Sequence, residues 1–216
     1  MHTHHQKSQS NECLICLSFI TENISLAHLI SPIPLCEKCL QKFNILDQTV
    51  TFHHHQLRVL YQYDDFFKSL LFQYKGLYDY ALKDAFLTLY LDELKEKYRT
   101  HIIVVAPSSK DDNDIRGFAP MESIASTFSS KVFTGLYKRE KYKQSDLSYI
   151  ERKEVYKKIG IMNGELLTGQ KVLIFDDVMT SSSTLLACLS HVESYHPKSI
   201  ELMVLSSKNG LKDKYC

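Results

Sequence analysis

Val172-Leu173-Ile174-Phe175-Asp176-Asp177-Val178-Met179-Thr180-Ser181-Ser182-Ser183-Thr184-Leu185 is the stretch on which the fold turns. An apolar run of strand character ends in two adjacent carboxylates, and small hydroxyl residues then lead into a helix starting near Thr184. A strand-to-helix turn of this kind aims backbone N–H groups and hydroxyls at an anion, with the helix dipole in support. The carboxylates repel a phosphate, so they suit neighbouring hydroxyls or a cation that accompanies it. A sugar carrying a phosphate satisfies both halves. The plainer alternative, a capped βα turn without a ligand, leaves two adjacent carboxylates at a strand end unexplained.

Three more short apolar runs accompany this one, at 102–106, 131–136 and 200–205, separated by stretches of helical pattern; the run that leads into the acidic pair covers 171–175. Strands that are apolar throughout and alternate with helices predict an α/β fold, a parallel sheet with helices on both faces. Ligands of such sheets bind beyond the carboxyl ends of the strands. After the run at 102–106 come Pro107-Ser108-Ser109-Lys110 and then Arg116-Gly117-Phe118. Arginine offers a donor fork that phosphate oxygens fit, and glycine allows close backbone approach.

Upstream, residues 57–63 read as a strand followed by Asp64 and Asp65 as helix caps. Phe67, Leu70, Leu71 and Tyr74 keep helical spacing, and Gly76 supplies the stop. Leu82, Phe86, Leu89 and Leu94 predict a second helix. The aromatic residues here obey the helix period, so core packing accounts for most of them.

Two CxxC pairs precede this region, Cys13-Leu14-Ile15-Cys16 and Cys36-Glu37-Lys38-Cys39, with nineteen residues between them. Each pair can aim both sulfurs at one point, and four protein ligands make a closed, structural zinc site. The expected organisation is a zinc-binding module over 1–50 and an α/β domain over 51–216. Loss of the ion is expected to loosen the module while the α/β domain stays folded. The runs His2, His4, His5 and His53-His54-His55 read as exposed linker, because consecutive residues of an extended chain point apart. Cys188 falls in an apolar helix as a core residue, and Cys216 is a terminal thiol.

The composition, 44% apolar and 24% charged over 216 residues, is that of a globular protein. No apolar run approaches a membrane span and residues 1–11 are polar, so the expected address is the cytoplasm, without membrane insertion. A net charge of +1 gives no bulk attraction to nucleic acid. Residues 138–158 carry eight basic against four acidic side chains, and Lys138, Arg139, Lys141, Lys143 and Arg152 are candidates for following a phosphate backbone. A solvated helix face is the plainer account of any one of these lysines.

The acidic loop resembles the 5-phosphoribosyl-1-pyrophosphate (PRPP) motif of type I phosphoribosyltransferases. That resemblance implies Asp176 and Asp177 on the ribose hydroxyls, Thr180, Ser181, Ser182, Ser183 and Thr184 on the 5′-phosphate, and the loop with Arg116 and Gly117 on the pyrophosphate, with Mg²⁺ accompanying PRPP. The four cysteines ahead of such a domain, Lys75-Gly76 with Asp79, Arg116-Gly117-Phe118, and the spaced Arg139, Gln144, Leu147 and Arg152 together resemble the ComF family. The family implies a competence protein acting in natural transformation, with single-stranded DNA, a competence helicase and the DNA-uptake machinery at the membrane as partners, and PRPP or a nucleotide as ligand. An active phosphoribosyltransferase and a PRPP-sensing regulator are the alternatives.

The chain departs from the family pattern at the ligand face. Serine stands at position 182 where the phosphate loop usually has glycine, Pro107 is the remnant of a Val-Pro-Val-Pro stretch, Ala119-Pro120 replace Asn-Gln, and Val155 replaces Asn. Glycine tolerates positive φ and close backbone approach better than serine. The expectation therefore shifts from an enzyme toward a binding protein.

Overall fold

The computed structural model describes residues 12–20, 34–139, 159–180 and 182–208. A six-stranded sheet with the order β1-β2-β8-β7-β3-β4 organises it, from β1 (Ile45–Phe52), β2 (His55–Gln62), β3 (Ile102–Val105), β4 (Val132–Phe133), β7 (Lys171–Met179) and β8 (Ser199–Ser207). All neighbours run parallel except β1 against β2. A separate antiparallel pair, β5 (Leu136–Lys138) and β6 (Ile159–Ile161), joins Leu136 to Ile161 and Lys138 to Ile159.

The strands are apolar throughout because both faces of the sheet are covered. Leu173 and Phe175 of β7, Met203 and Leu205 of β8, and Ile103 and Val105 of β3 enter one core. Val172 and Ile174, Leu202 and Val204, and Val104 enter the other. After the short helix α1 (Glu37–Leu40), the first core is roofed by α2 (Asp65–Gly76), α3 (Leu91–Lys97) and α5 (Pro120–Ala125), the second by α6 (Ser183–Glu193). Asp64 caps α2 by accepting from the Phe67 N–H at 2.9 Å, and α2 ends at Gly76 as its sequence predicts.

The crossover from β3 to β4, through α4 (Lys110–Arg116) and α5, packs on one face; that from β7 to β8, through α6, packs on the other. The connections diverge between β3 and β7. In an open α/β sheet that divergence leaves a crevice at the carboxyl ends of the two strands, where ligands bind.

Three local readings are corrected. The second helix is broken: a 3-10 turn covers Tyr80–Asp84, turns follow, α3 begins only at Leu91, and Leu89 is exposed. The run at 131–136 splits after β4, because Gly135 lets the chain pass so close to the Met162 carbonyl that an added Cβ would sit 2.3 Å from it. His53 and His54 are not linker but the two central residues of the tight β1/β2 hairpin, both at positive φ (45° and 69°), the twist such a turn demands. His55 lies in β2, within 2.9 Å of Glu193. Residue 50 consequently falls inside β1, a strand of the large sheet. Among the described residues no helix is long and apolar enough to cross a membrane.

Candidate ribose phosphate site and metal centre

β7 does not stop before the acidic pair. Its pairing with β8 continues through Asp176 opposite Val204 to Met179 opposite Ser207, so both carboxylates are held on rigid strand at the mouth of the crevice. Asp176 Oδ1 accepts from the Asp177 N–H at 2.8 Å, and Asp177 Oδ1 accepts from the Val178 N–H at 2.6 Å. Burial pushes the Asp176 carboxyl up to about 6, against the opposing pull of Lys75 and Lys138.

The ammonium of Lys75, in the last turn of α2, forms an ion pair with Asp177 Oδ2. Burial brings Lys75 down to about 8, with Asp176 resisting and the like charges of Arg116 and Lys138 assisting. Arg116 approaches the same point from the other loop: its Nε donates to the Lys75 carbonyl at 2.8 Å and its Nη1 to Asn113 Oδ1 at 3.1 Å, an oxygen that also accepts from Ser108 Oγ at 2.7 Å. The structure thus links the acidic pair to Arg116 through Lys75, whose ammonium pairs with Asp177 and whose carbonyl accepts from Arg116, and it adds Asn113; Arg116 and Gly117 themselves line a separate cavity of about 600 Å³ with Tyr78 and Tyr80. Lys75 could be read only as part of a resemblance, because its partner is a hundred residues away in the chain. Gly117 takes φ 81° as the left-handed cap of α4, a position that favours glycine for its backbone.

Serine at position 182 adopts the backbone conformation that the sequence pattern usually gives to glycine. Ser182 has φ 55° and ψ −3°, and its carbonyl accepts the Leu186 N–H at 2.9 Å as α6 begins. The cleft between Asp176, Thr180, Ser182, Ser183 and Thr184 measures about 20 Å³, room for about one water, so a phosphate would require the loop to open. Ser181 lies outside the described residues.

Beside this loop is a cavity of about 1310 Å³, bounded by Ser108 and Ser109, by Thr134, by Tyr137 of the β5/β6 ribbon, by Met162 and by Thr184. No sequence pattern pointed to it, since its walls come from five separate segments. Lys138 and Arg139 are exposed and line its rim. Lys141, Lys143 and Arg152 lie outside the described residues.

At the other end of the chain the sulfurs of Cys13, Cys16, Cys36 and Cys39 converge to within 4.8 Å of one another. Cys16 Sγ and Cys36 Sγ stand 3.7 Å apart, close to the roughly 3.8 Å edge of a tetrahedron with zinc–sulfur bonds of about 2.3 Å. The Leu14 N–H donates to the Pro34 carbonyl at 3.0 Å, tying the two CxxC turns together, and hydrogen bonds from Ser18 bring the Cys16 thiol down to about 6. These residues fit a metal ion such as zinc. A magnesium ion at the acidic pair would have to displace or share Asp177 with the Lys75 ammonium, which already pairs with its Oδ2.

Residues 91–214 match the model of the phosphoribosyl transferase domain. A curated relative, the competence protein ComFC of Streptococcus pneumoniae (strain ATCC BAA-255 / R6), is 29% identical over 128 residues, which cover 59% of this chain and 57% of that protein. The match therefore spans little more than half of the relative's length. Solved structures that resemble the chain include a hypoxanthine phosphoribosyltransferase from Staphylococcus aureus (14% identity, TM-score 0.37, 61% of this chain and 68% of that one). Another is a hypoxanthine-guanine phosphoribosyltransferase from Bacillus anthracis str. 'Ames Ancestor' (18%, 0.38, 60% and 73%). The fold assignment rests on the sheet order and the family match. With the acidic strand end, the switch-point crevice and the four-cysteine cluster in place, the resemblance to ComF proteins is borne out, and the chain belongs to the phosphoribosyl transferase domain family.

Proposed function

We propose that this chain is a competence protein that binds PRPP or a nucleotide at the crevice between β3 and β7 and handles single-stranded DNA during natural transformation. The observation that carries the ligand half is the acidic pair Asp176 and Asp177 at the topological switch point, joined to the Arg116 loop through Lys75. In this reading the carboxylates orient the ribose hydroxyls, Arg116 and Gly117 receive the pyrophosphate, and Thr180 to Thr184 close on the 5′-phosphate. The four cysteines hold a structural zinc ion.

The DNA half is supported by the likeness to ComFC and by Lys138 and Arg139 at the cavity rim, which with Lys141, Lys143 and Arg152 would follow a phosphate backbone. The protein would act in the cytoplasm, beside the membrane-bound uptake machinery and its helicase. Fluorescent single-stranded DNA titrated against salt tests this. Replacing Lys138, Arg139, Lys141 and Lys143 together is expected to weaken binding and flatten the salt slope; unchanged affinity and slope would remove the segment from the role.

A second reading, an active phosphoribosyltransferase, is favoured by the cavity of about 1310 Å³, which gives an acceptor room next to the pyrophosphate loop. Incubation with PRPP, Mg²⁺ and a panel of bases and amines discriminates the two. Pyrophosphate release supports the enzyme, whereas PRPP binding without release supports the binding protein. A PRPP-sensing regulator predicts that PRPP changes DNA affinity in the same titration.

A further inference from the structure

The carboxylate pair of a site that receives a ribose phosphate poses an electrostatic problem, since the ligand is itself an anion. A divalent cation is one solution; a fixed ammonium group is another. Lys75 occupies the place where the second would act. Its ammonium is paired with Asp177, its side chain is only 27% exposed, and its backbone carbonyl accepts from Arg116 Nε at 2.8 Å. The neighbouring Tyr74 is fully buried, and its hydroxyl donates to the Pro120 carbonyl at 2.9 Å, which anchors the end of α2 against α5. The lysine is therefore held in position by groups on both sides of the crevice.

Charge counting points the same way. Asp176 and Asp177 contribute two negative charges, while Lys75, Arg116 and Lys138 contribute three positive ones, and Lys75 and Lys138 both act on Asp176. The group is net positive before any metal ion arrives. Three of the four carboxylate oxygens already accept from Lys75 or a backbone N–H, so a hard cation at Asp177 would have to compete with the ammonium in place there.

We propose that Lys75 is the resident counter-cation of the acidic pair, so that the crevice binds a ribose 5-phosphate monoester without a divalent metal. This rests on the ribose phosphate reading of the site and deepens it by naming the ligand class. Lys75 acts as a positioning residue: it neutralises Asp177, keeps the carboxylates aligned for the ribose hydroxyls, and links that loop through its carbonyl to the arginine that meets the leaving end.

The test titrates the full chain calorimetrically with ribose 5-phosphate, which carries the two hydroxyls and the phosphate but lacks the pyrophosphate that chelates Mg²⁺. Buffers are freed of Mg²⁺ without a chelator, because a chelator would also attack the cysteine site. Wild type is expected to bind equally well with and without Mg²⁺. Lys75→Met is expected to bind about tenfold more weakly or worse in Mg²⁺-free buffer and to recover on adding Mg²⁺, while Lys75→Arg keeps metal-independent binding. Binding by wild type only in the presence of Mg²⁺, or undiminished Mg²⁺-free binding by Lys75→Met, would overturn the role of Lys75. Absence of wild-type binding in both buffers would instead overturn the ribose phosphate reading itself, and the lysine's role with it.

Discussion

At the residue scale, Ser182 has its φ at 55°, in the left-handed region where an L side chain costs roughly 1 kcal/mol. A Ser182→Gly substitution should raise stability by no more than about 0.5 kcal/mol in urea unfolding, the relief of strain slightly exceeding the extra entropy of glycine in the unfolded chain. It should also tighten phosphate binding, by easing movement of the loop. Asp176 supplies a second prediction, through its carboxyl raised from 3.8 to about 6. Between those values the folded state keeps a proton that the unfolded state has released, so this group's contribution to stability falls as pH rises from about 4 to about 6 and is level above. The stability of Asp176→Asn relative to wild type should accordingly grow across that window, by on the order of 2 kcal/mol, and then stay constant to pH 8 while ribose phosphate binding is lost. Urea melts at each pH measure the difference. The identity of both residues was plain in the sequence. The backbone angle of Ser182 and the burial of Asp176 were not, because each depends on what the rest of the chain stacks around the strand end.

At the scale of elements, β2 is fastened to its surroundings by Arg58. The guanidinium donates to Asp47 at 2.7 Å and to both oxygens of Glu93, with Nη2 to Oε2 at 3.1 Å, and it lies 5.2 Å above the Tyr90 ring. It joins β1 and β2 to α3, the helix that follows the 3-10 turn and the buried turns after it. Both acidic partners are about half exposed, which discounts the pair. Arg58→Met should cost about 2 kcal/mol, read as a lower midpoint in guanidinium unfolding, with ligand binding retained. The sequence made α2 legible, through its Asp64 cap, its apolar spacing and the glycine at its end. It misjudged the next helix. Leu82 and Phe86 keep the right period but are buried by a short tight turn, and periodicity does not distinguish that from a continuous helix.

At the scale of the whole molecule, the cysteine cluster and the sheet share one core. Cys13, Leu35, Cys39 and Phe43 pack in the same cluster as Leu60, Tyr61, Phe67 and Leu70, with the Phe43 and Tyr61 rings 5.0 Å apart. This changes the expectation that the α/β domain would be indifferent to loss of the ion. Treatment with a zinc chelator, or replacing Cys13 with serine, should lower the melting temperature of the whole chain in a single transition, and hydrogen exchange should quicken in β2 and α2 as well as around the cysteines. Two separate transitions would show the parts to be independent. Sequence alone determined the four-cysteine cluster, the parallel-sheet class and the acidic strand end, because each is written in local spacing: cysteines with two residues between them, apolar runs of strand length, and carboxylates at the end of one such run. Only the tertiary structure decided that Lys75 sits on the acidic pair, that a large cavity adjoins the loop, and that the cysteine turns join the main core, because each joins residues far apart in the chain and depends on the order in which the strands pair.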